Sequence, residues 1–304
     1  MHQKQEGLSK RITGDFTDGK LLISRINAPP PGWQGLPEVY VTDNLVKQGA
    51  TEIEVRLFVT FTAALDRARD ADALWKASER LFLSHKWAFI PEEVVTKSQD
   101  DLTMILKSFN VSQRHKPDSN AWKTIACSLL NEKESAPIRE AIYNGHGEAS
   151  KLLKTLSICN YQGKACFPFL RGPKIGPMWI RMLACPGKAH IDNIVKLPVS
   201  VDVQVRKVSE YLGITDTVNL PFNEAVRQTI QDAWHKEVRQ HGSIGPGILA
   251  NTSSALDPAL WFFGKWGCTH CENSGNKQPI SEICNNCTFT NEKSKLLKKN
   301  KVHC

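Results

Sequence analysis

The chain has 304 residues, which allows one large or two modest domains, and its 41% hydrophobic and 23% charged residues are ordinary for a globular protein. The formal charge of +8 favours an acidic partner, with nucleic acid ahead of an anionic membrane surface. No apolar run approaches the ~20 residues that span a bilayer, and the first residues lack the apolar segment of a secretion signal. These features predict a cytoplasmic, nucleoid-associated protein without a membrane segment.

The first 50 residues have few periodic apolar positions and include the run from Pro29 to Trp33, which suits neither a helix nor a strand. We predict an irregular arm here, with one short strand near Val39–Val41. Trp33 and Leu36 are expected to pack this arm on the body of the protein.

From Glu52 onward, apolar residues recur at helical spacing, and Asp70 is expected to cap a second helix. The succession that follows is almost wholly α-helical. Tryptophans on apolar helical faces are predicted core residues, namely Trp75, Trp122, Trp179 and Trp234. Further helices are predicted at residues 98–109, where Ser98 is the cap, and at 118–130, 136–143 and 148–157.

A glycine- and proline-rich turn, Gly172–Pro177, separates two apolar helical segments within residues 167–185. Backbone N–H groups near a helix start, together with the positive end of the helix dipole, suit a phosphate oxygen. The turn is therefore predicted to hold a nucleic-acid backbone.

A single carboxylate stands in the otherwise apolar and basic run from Leu197 to Val208. Val201, Val205 and Val208 share one helical face, so Asp202 is expected at the start of a helix. At that position it either serves only as the N-cap or is a rigidly held group available for chemistry.

The last third of the chain predicts two more helices and a tail. Asn223 starts a long helix that Gly242 ends. Asp257 is expected to cap a final helix with Pro258 at its first position, and this helix leads directly into Cys268. Five lysines within residues 291–304 predict a flexible cationic tail.

Four of the nine cysteines crowd into one short stretch, whereas Cys127, Cys159, Cys166 and Cys185 are scattered through apolar sequence. Two Cys-x-x-Cys pairs with twelve residues between them can place four thiolates on one ion, and the spacing alone favours tetrahedral Zn²⁺. The predicted metal ligands are Cys268, Cys271, Cys284 and Cys287.

The turn and the segment from Val201 to Val208 together resemble the helix-hairpin-helix DNA glycosylase superfamily of the endonuclease III type. In that family a hairpin precedes a V-D-x-H-V-x-R-V segment with the essential aspartate; Gln204 stands here where the family has histidine. The resemblance implies an all-α, two-lobed fold with a DNA-binding cleft. Its implied parts are an arm (1–50), a glycosylase core (51–255), a helix with a four-cysteine metal loop (256–290) and a basic tail (291–304).

The resemblance implies base-excision chemistry, in which Asp202 is the catalytic carboxylate. An enzyme that also cleaves the strand needs a lysine nucleophile. The endonuclease III position of that lysine is Met178 here, but an archaeal 8-oxoguanine glycosylase branch has a lysine that matches Lys174. Lys174 is therefore either the lyase nucleophile or a phosphate contact. The other predicted DNA contacts are Gly172, Gly176, Pro177, Lys188, Gln204 and Lys265.

The helix end from Trp261 to Cys268 is similar to the segment that leads into the iron–sulfur loop of the same family. The resemblance therefore implies a structural [4Fe–4S] cluster on the four cysteines, with Zn²⁺ as the alternative. The expected protein is a monomeric glycosylase that acts on double-stranded DNA. A non-catalytic DNA-binding protein on the same scaffold is the alternative of a different class, and a helical metalloprotein with a protein partner is a third.

Overall fold

The structure is a computed structural model that describes residues 8–14, 16–17, 20–21, 35–161, 163–217 and 219–267. Trp33, the four predicted metal-binding cysteines and the lysine-rich tail lie outside these residues, so the expectations for them stay predictions. Within the described ranges, no helix has the length and apolar character needed to cross a membrane.

The described residues fold into short and medium helices with very little strand, which confirms the predicted all-α class. The helices are α1 Leu8–Gly14, α2 Pro37–Lys47, α3 Glu52–Ala64, α4 Ala71–Ser84, α5 Pro91–Val94, α6 Gln99–Ser108, α7 Lys116–Leu130, α8 Glu132–Arg139, α9 Ala149–Ile158, α10 Ile175–Ala184, α11 Val203–Tyr211, α12 Glu224–His241 and α13 Leu256–Phe262.

Six strands of two or three residues form three separate pairs: β1 with β2 and β4 with β5 are antiparallel, and β3 with β6 is parallel. The strands are β1 Phe16–Thr17, β2 Lys20–Leu21, β3 His146–Glu148, β4 Asn160–Tyr161, β5 Lys164–Ala165 and β6 His190–Asp192. Single turns of 3₁₀-helix occupy Lys86–Phe89, Ile194–Lys196, Gly247–Leu249 and Ser253–Ala255, and π-helical turns occupy Glu140–Asn144 and Phe263–Gly267.

The chain forms two compact units. Residues 35–197 make up the central unit, which contains α2 to α10. The described parts of residues 1–34 and 198–304 make up the terminal unit, in which α1 packs on α12 and α13 and α11 packs on α13.

An aromatic cluster fills the core of the central unit. Phe58 and Phe61 of α3 lie 5.3 and 6.2 Å from the ring of Phe89, and Phe61 stacks on Trp122 of α7 at 4.9 Å. A fully buried phenylalanine contributes about 1.5–3 kcal/mol, so these rings stabilise the packing of α3 on α7. All the tryptophans predicted to be core residues are fully buried, which confirms that prediction: Trp75, Trp122, Trp179 and Trp234.

Three of the predicted helix starts are also confirmed. The side chains of Asp70, Ser98 and Asn223 each accept a hydrogen bond from the backbone N–H three residues later, at the starts of α4, α6 and α12. A cap of this kind contributes about 0.5–2 kcal/mol. Gly242 ends α12 with a φ of 76°, a conformation that glycine adopts without strain.

The predicted irregular conformation is wrong for two parts of the arm, since Leu8–Gly14 form α1 and the end of the arm is also helical. Pro37 to Lys47 form α2 instead of containing a short strand near Val39–Val41. Pro37 stands in the first helical turn, where its fixed φ and missing N–H favour a helix. Val41 and Leu45 then fall on one face, which α2 buries in the central unit.

Cys159 and Cys166 form a disulfide that the sequence analysis did not predict, with Cα atoms 5.4 Å apart. The bond closes the short β4–β5 hairpin, where Cys166 N–H also donates to the carbonyl of Cys159. Disulfides are rare in reducing compartments, so this pair does not support the predicted cytoplasmic location, which stays a prediction.

Candidate functional site

Asp202 is the N-cap residue of α11. Its Oδ1 atom accepts hydrogen bonds from the backbone N–H groups of Gln204 and Val205, at 2.8 and 3.0 Å. Val201 and Val205 beside it are buried, while Asp202 itself is half-buried. The carboxylate is thus held in one orientation and still partly exposed, an arrangement that a helix cap and a catalytic acid share.

The segment before Asp202 is fixed by a second, buried carboxylate, that of Asp257. It accepts from Ser200 N–H and from Ser200 Oγ, both at 2.7 Å. The prediction that Asp257 caps the last helix is wrong, because α13 begins at Leu256 after its N-cap Ala255, two residues before the predicted start at Pro258. Its carboxylate instead forms two charge-assisted hydrogen bonds that would be lost if it faced solvent. Asp257 therefore positions the chain that leads into α11.

Gly264 lies against the first turn of α11. A methyl group at Gly264 would come within 2.6 Å of Gln204 Cβ and 2.7 Å of the Gln204 carbonyl oxygen. Gln204 is thus half-buried at this contact. The next residue, Lys265, places Nζ 4.7 Å from the centroid of the Trp261 ring, a cation–π contact.

Substitution of Gly264 by alanine is expected to lower the free energy of unfolding by about 1–3 kcal/mol, because the added methyl overlaps backbone atoms of α11 that cannot rotate away. Urea denaturation of the full chain measures the change. Gly172→Ala is the matched control: its Cβ would meet no atom within 4 Å, and a change within about 0.5 kcal/mol is expected. Equal losses in both variants would contradict the close approach.

In the central unit, the predicted turn is occupied partly by the start of α10. The helical segment predicted before the turn is wrong, because residues 167–174 form turns and bends. Gly176 allows a close approach there, since a Cβ would lie 3.2 Å from a backbone oxygen of the preceding loop. Gly176 N–H donates to the Gly172 carbonyl at 2.9 Å, and Pro177 has no N–H to offer. Gly176 and Pro177 are buried, whereas Gly172 and Lys174 are half-buried. A phosphate would therefore meet Gly172 and Lys174 at this turn.

A cavity of about 610 Å³ opens beside the turn. The guanidinium carbons of Arg67 and Arg114 lie 4.6 and 4.7 Å from the ring centroid of Phe169, which lines the cavity. Cationic groups and an aromatic ring in one concave site suit a ligand that carries both a phosphate and a planar base. The polar and aromatic residues of its wall are Asp66, Arg67, Phe169, Arg171 and Lys174.

Asp66 is the acidic member of this cavity wall and is only 7% exposed. Burial raises the pKa of its carboxyl above the ordinary value, while the nearby Lys174 ammonium opposes part of that rise. A carboxyl with a perturbed pKa beside a lysine in a cavity is typical of functional sites. Asp66 is not among the residues predicted from the sequence, although an acid directly after the apolar face of α3 is a signal for it.

The raised pKa of the Asp66 carboxyl is expected to make the stability of the protein depend on pH. The unfolded chain ionises this group near the ordinary value, about 3.9, whereas the folded protein resists ionisation. As the pH rises from the ordinary pKa of this carboxyl to its raised pKa in the folded protein, the free energy of unfolding of the wild type should therefore fall, by at most ~1.4 kcal/mol per pH unit. Asp66→Asn removes this cost, so it should be more stable than wild type at pH 7, with the difference shrinking toward pH 3.

Thermal unfolding of both proteins from pH 3 to 8 tests this expectation. Asp43→Asn removes one exposed carboxylate and controls for the change in net charge. A destabilised Asp66→Asn at pH 7 would show that the ionised carboxylate is favoured by its neighbours and would overturn the direction of the pKa shift.

Lys188 is the most exposed of the predicted DNA contacts, with 65% of its side chain accessible. Its Nζ lies 3.7 Å from an oxygen of Glu52, itself exposed. Surface ion pairs of this kind contribute little to stability, so Lys188 can exchange this partner for a phosphate at small cost.

No protein-family model matches the chain, and no curated protein matches it. Two solved structures are similar to it. One is a trapped endonuclease III–DNA covalent intermediate in an estranged-adenine complex, with 13% sequence identity. The other is a non-covalent endonuclease III–DNA complex, with 14% identity. Each similarity covers 84% of this chain and 96% of the other, with a TM-score of 0.44.

Proposed function

We propose that this protein is a base-excision DNA glycosylase that hydrolyses the N-glycosidic bond of a damaged or mismatched base in double-stranded DNA. The observation that carries the proposal is the half-buried Asp202 carboxylate, fixed by two backbone N–H groups. Asp257 supports it by clamping Ser200, two residues earlier in the chain. The excess of basic residues and the resemblance of the sequence around Asp202 to the glycosylase motif are consistent with a DNA substrate.

In the proposed reaction the target nucleotide leaves the base stack. Asp202 stabilises the positive charge that develops on the sugar as the bond from C1′ to the base nitrogen breaks, and it accepts a proton from the attacking water. The oxygen of that water bonds to C1′, and the departing base keeps the electron pair and acquires a proton. A rigid carboxylate suits this role because its orientation costs nothing during the reaction.

The proposed direct DNA contacts lie in both units of the chain. Lys174 and Lys188 supply charge to phosphates in the central unit, and Gly172 permits close approach of the backbone. Gln204 and Lys265 are the proposed contacts in the terminal unit. Gly176 and Pro177 act indirectly, by shaping the start of α10, because both are buried.

Lys174 is the proposed lyase nucleophile, should the enzyme also cleave the strand. Its amine would replace the base at C1′ and lose a proton as the sugar ring opens to an imine, which borohydride reduces to a stable amine. A covalent protein–DNA adduct is expected with wild type, and its yield should fall at least about 10²-fold with Lys174→Gln. Lys47→Gln, which removes an exposed lysine outside the proposed DNA contacts, is the control that keeps adduct formation. An undiminished adduct in Lys174→Gln would assign the amine to another residue.

The four cysteines Cys268, Cys271, Cys284 and Cys287 are proposed to bind a structural [4Fe–4S] cluster, with Zn²⁺ as the alternative. Four thiolates suit either group, and both would clamp the loop that follows Lys265. Iron and sulfide analysis with broad visible absorbance is expected for the cluster. A colourless protein with one zinc per chain would assign the alternative.

A non-catalytic DNA-binding protein is the second candidate. One observation favours it: capping of α11 by itself accounts for the hydrogen bonds that Asp202 accepts. Met178, at the position of the endonuclease III lysine, is moreover a buried side chain of α10.

The two functions are separated by incubating the purified full chain with duplex oligonucleotides that carry uracil, 8-oxoguanine, an alkylated purine or an abasic site. Release of a base from one of them is the expected result. Binding to all duplexes without release from any would favour the binding protein. Gel filtration of the same preparation tests the proposed monomer.

A further inference from the structure

Two histidines and an aspartate converge on the β3–β6 pair, apart from the residues of the proposed reaction. Asp192 bridges the two rings: its Oδ2 lies 3.3 Å from His146 Nε2, and its Oδ1 lies 3.1 Å from His190 Nε2. One ligand atom of each of the three residues lies within 4.8 Å of the others. The imidazoles are nearly parallel, with centroids 5.6 Å apart and an interplanar angle of 21°.

Strand register brings these three side chains to one face. His146 is the direct partner of His190 in the parallel ladder, and the next pair, Gly147 with Ile191, faces inward. Ile191 is buried, and a Cβ at Gly147 would meet it at 3.3 Å. Because side chains alternate along a strand, His146, His190 and Asp192 project to the opposite, outward face.

Arg56, which is 3% exposed, binds the backbone that leads into both strands that carry the cluster. Its Nε donates to the carbonyl of Ile142 at 2.6 Å, before β3, and its Nη1 donates to the carbonyl of Gly187 at 3.0 Å, before β6. His190 N–H also donates to the Gly145 carbonyl at 2.7 Å. These bonds tie the two strand starts together, so the separation of the two strands that carry the rings is set by the fold.

We propose that His146, His190 and Asp192 form a binding site for a divalent first-row transition metal ion, with Zn²⁺ as the expected occupant. Bonds of about 2.0–2.2 Å from Zn²⁺ to imidazole nitrogen and carboxylate oxygen place tetrahedral ligand atoms roughly 3.3–3.5 Å apart. Asp192 places a different carboxylate oxygen near each ring, at 3.3 and 3.1 Å from the two Nε2 atoms, and one ligand atom of each residue lies within 4.8 Å of the others. Small side-chain rotations would bring one carboxylate oxygen and both nitrogens to the tetrahedral spacing.

The ligand atoms of these three residues determine which class of metal ion the site prefers. Two imidazoles and one carboxylate suit Zn²⁺, Co²⁺ or Ni²⁺, whereas Mg²⁺ and Ca²⁺ prefer oxygen ligands alone. Glu148 does not extend the set, because its carboxylate accepts from Ser150 and Lys151 as the cap of α9. Three protein ligands leave a coordination position for water or for an anionic oxygen. With side chains 46–63% exposed, the site exchanges its ion with solvent.

Isothermal titration of the full chain with Zn²⁺, with its cysteine loop as purified, tests the site. Wild type should bind one equivalent more than His146→Gln or His190→Gln, and Mg²⁺ should not compete. His241→Gln is the matched control: His241 pairs with Glu237 on α12 at 3.9 Å, with no third ligand atom grouped with them among the described residues. Its stoichiometry should equal that of wild type.

Nitrogen NMR of histidine-labelled wild type keeps the test independent of how the variants fold. One equivalent of Zn²⁺ should shift the Nε2 resonances of His146 and His190 together and leave those of His241 in place. Equal stoichiometry in all variants, or unshifted Nε2 resonances in wild type, would overturn the proposal and leave an Asp192 ion-pair cluster.

Discussion

Replacement of Asp202 by asparagine is expected to slow base release roughly 10²–10⁴-fold, the contribution typical of a positioned general acid or base. Asparagine is nearly isosteric, and its Oδ1 can still accept from the N–H groups of Gln204 and Val205, so the helix cap is preserved. The substitution therefore removes the negative charge and the proton-accepting ability of residue 202 and keeps the fold. Single-turnover release from the duplex that wild type cleaves, together with DNA affinity and the melting temperature, measures the three effects separately.

A matched cap elsewhere in the same unit provides the control. Asn223 caps α12 through the same type of bond, to Val226 N–H at 3.1 Å. Asn223→Ala should lose about 0.5–2 kcal/mol of stability with unchanged base release, the reverse of the Asp202→Asn result. If Asp202→Asn releases base at the wild-type rate, the carboxylate is only a cap, and the proposed chemistry at Asp202 is wrong.

The features that the sequence predicted correctly depend on contacts between close neighbours in the chain. The caps at Asp70, Ser98 and Asn223 bind an N–H three residues away, so residue type and helical spacing are sufficient to find them. The position of Asp202 at a helix start follows from the same local logic. Pro37 is an equally local signal for a helix start. The loop-like composition of the residues before it obscures that signal, and the strand predicted there was wrong.

The parts of the site that sequence reasoning missed depend on distant pairs. Asp257 meets Ser200 across 57 residues, and Arg56 reaches Gly187 across 131. Spacing along the chain cannot encode such pairs, because only the completed fold brings them together. The neighbouring Pro258 is the only local signal at Asp257, and it predicts a helix cap. His146 and His190, the proposed metal ligands, come together only once β3 pairs with β6.

Replacement of Arg181 by methionine is expected to cost about 3–5 kcal/mol of unfolding free energy, which is large for a domain of this size. Arg181 on α10 donates through Nη2 to Glu38 Oε1 on α2 at 2.7 Å, and their side chains are only 5% and 6% exposed. Methionine fills similar volume but leaves a buried carboxylate without its countercharge. Urea denaturation at pH 7 gives the loss.

A double-mutant cycle separates the pair from the packing of its side chains. Glu38→Leu alone removes the carboxylate that the buried Arg181 guanidinium contacts and should also be destabilising, whereas the double variant should recover most of the loss, since an apolar pair carries no desolvation penalty. Lys188→Met breaks an exposed pair with Glu52 and should change stability by less than about 1 kcal/mol. Additive single losses in the double variant would contradict a coupled ion pair. Because Lys174 directly precedes α10, recovery in the double variant would also mean that packing without the charges is enough to hold α2 beside the candidate phosphate turn.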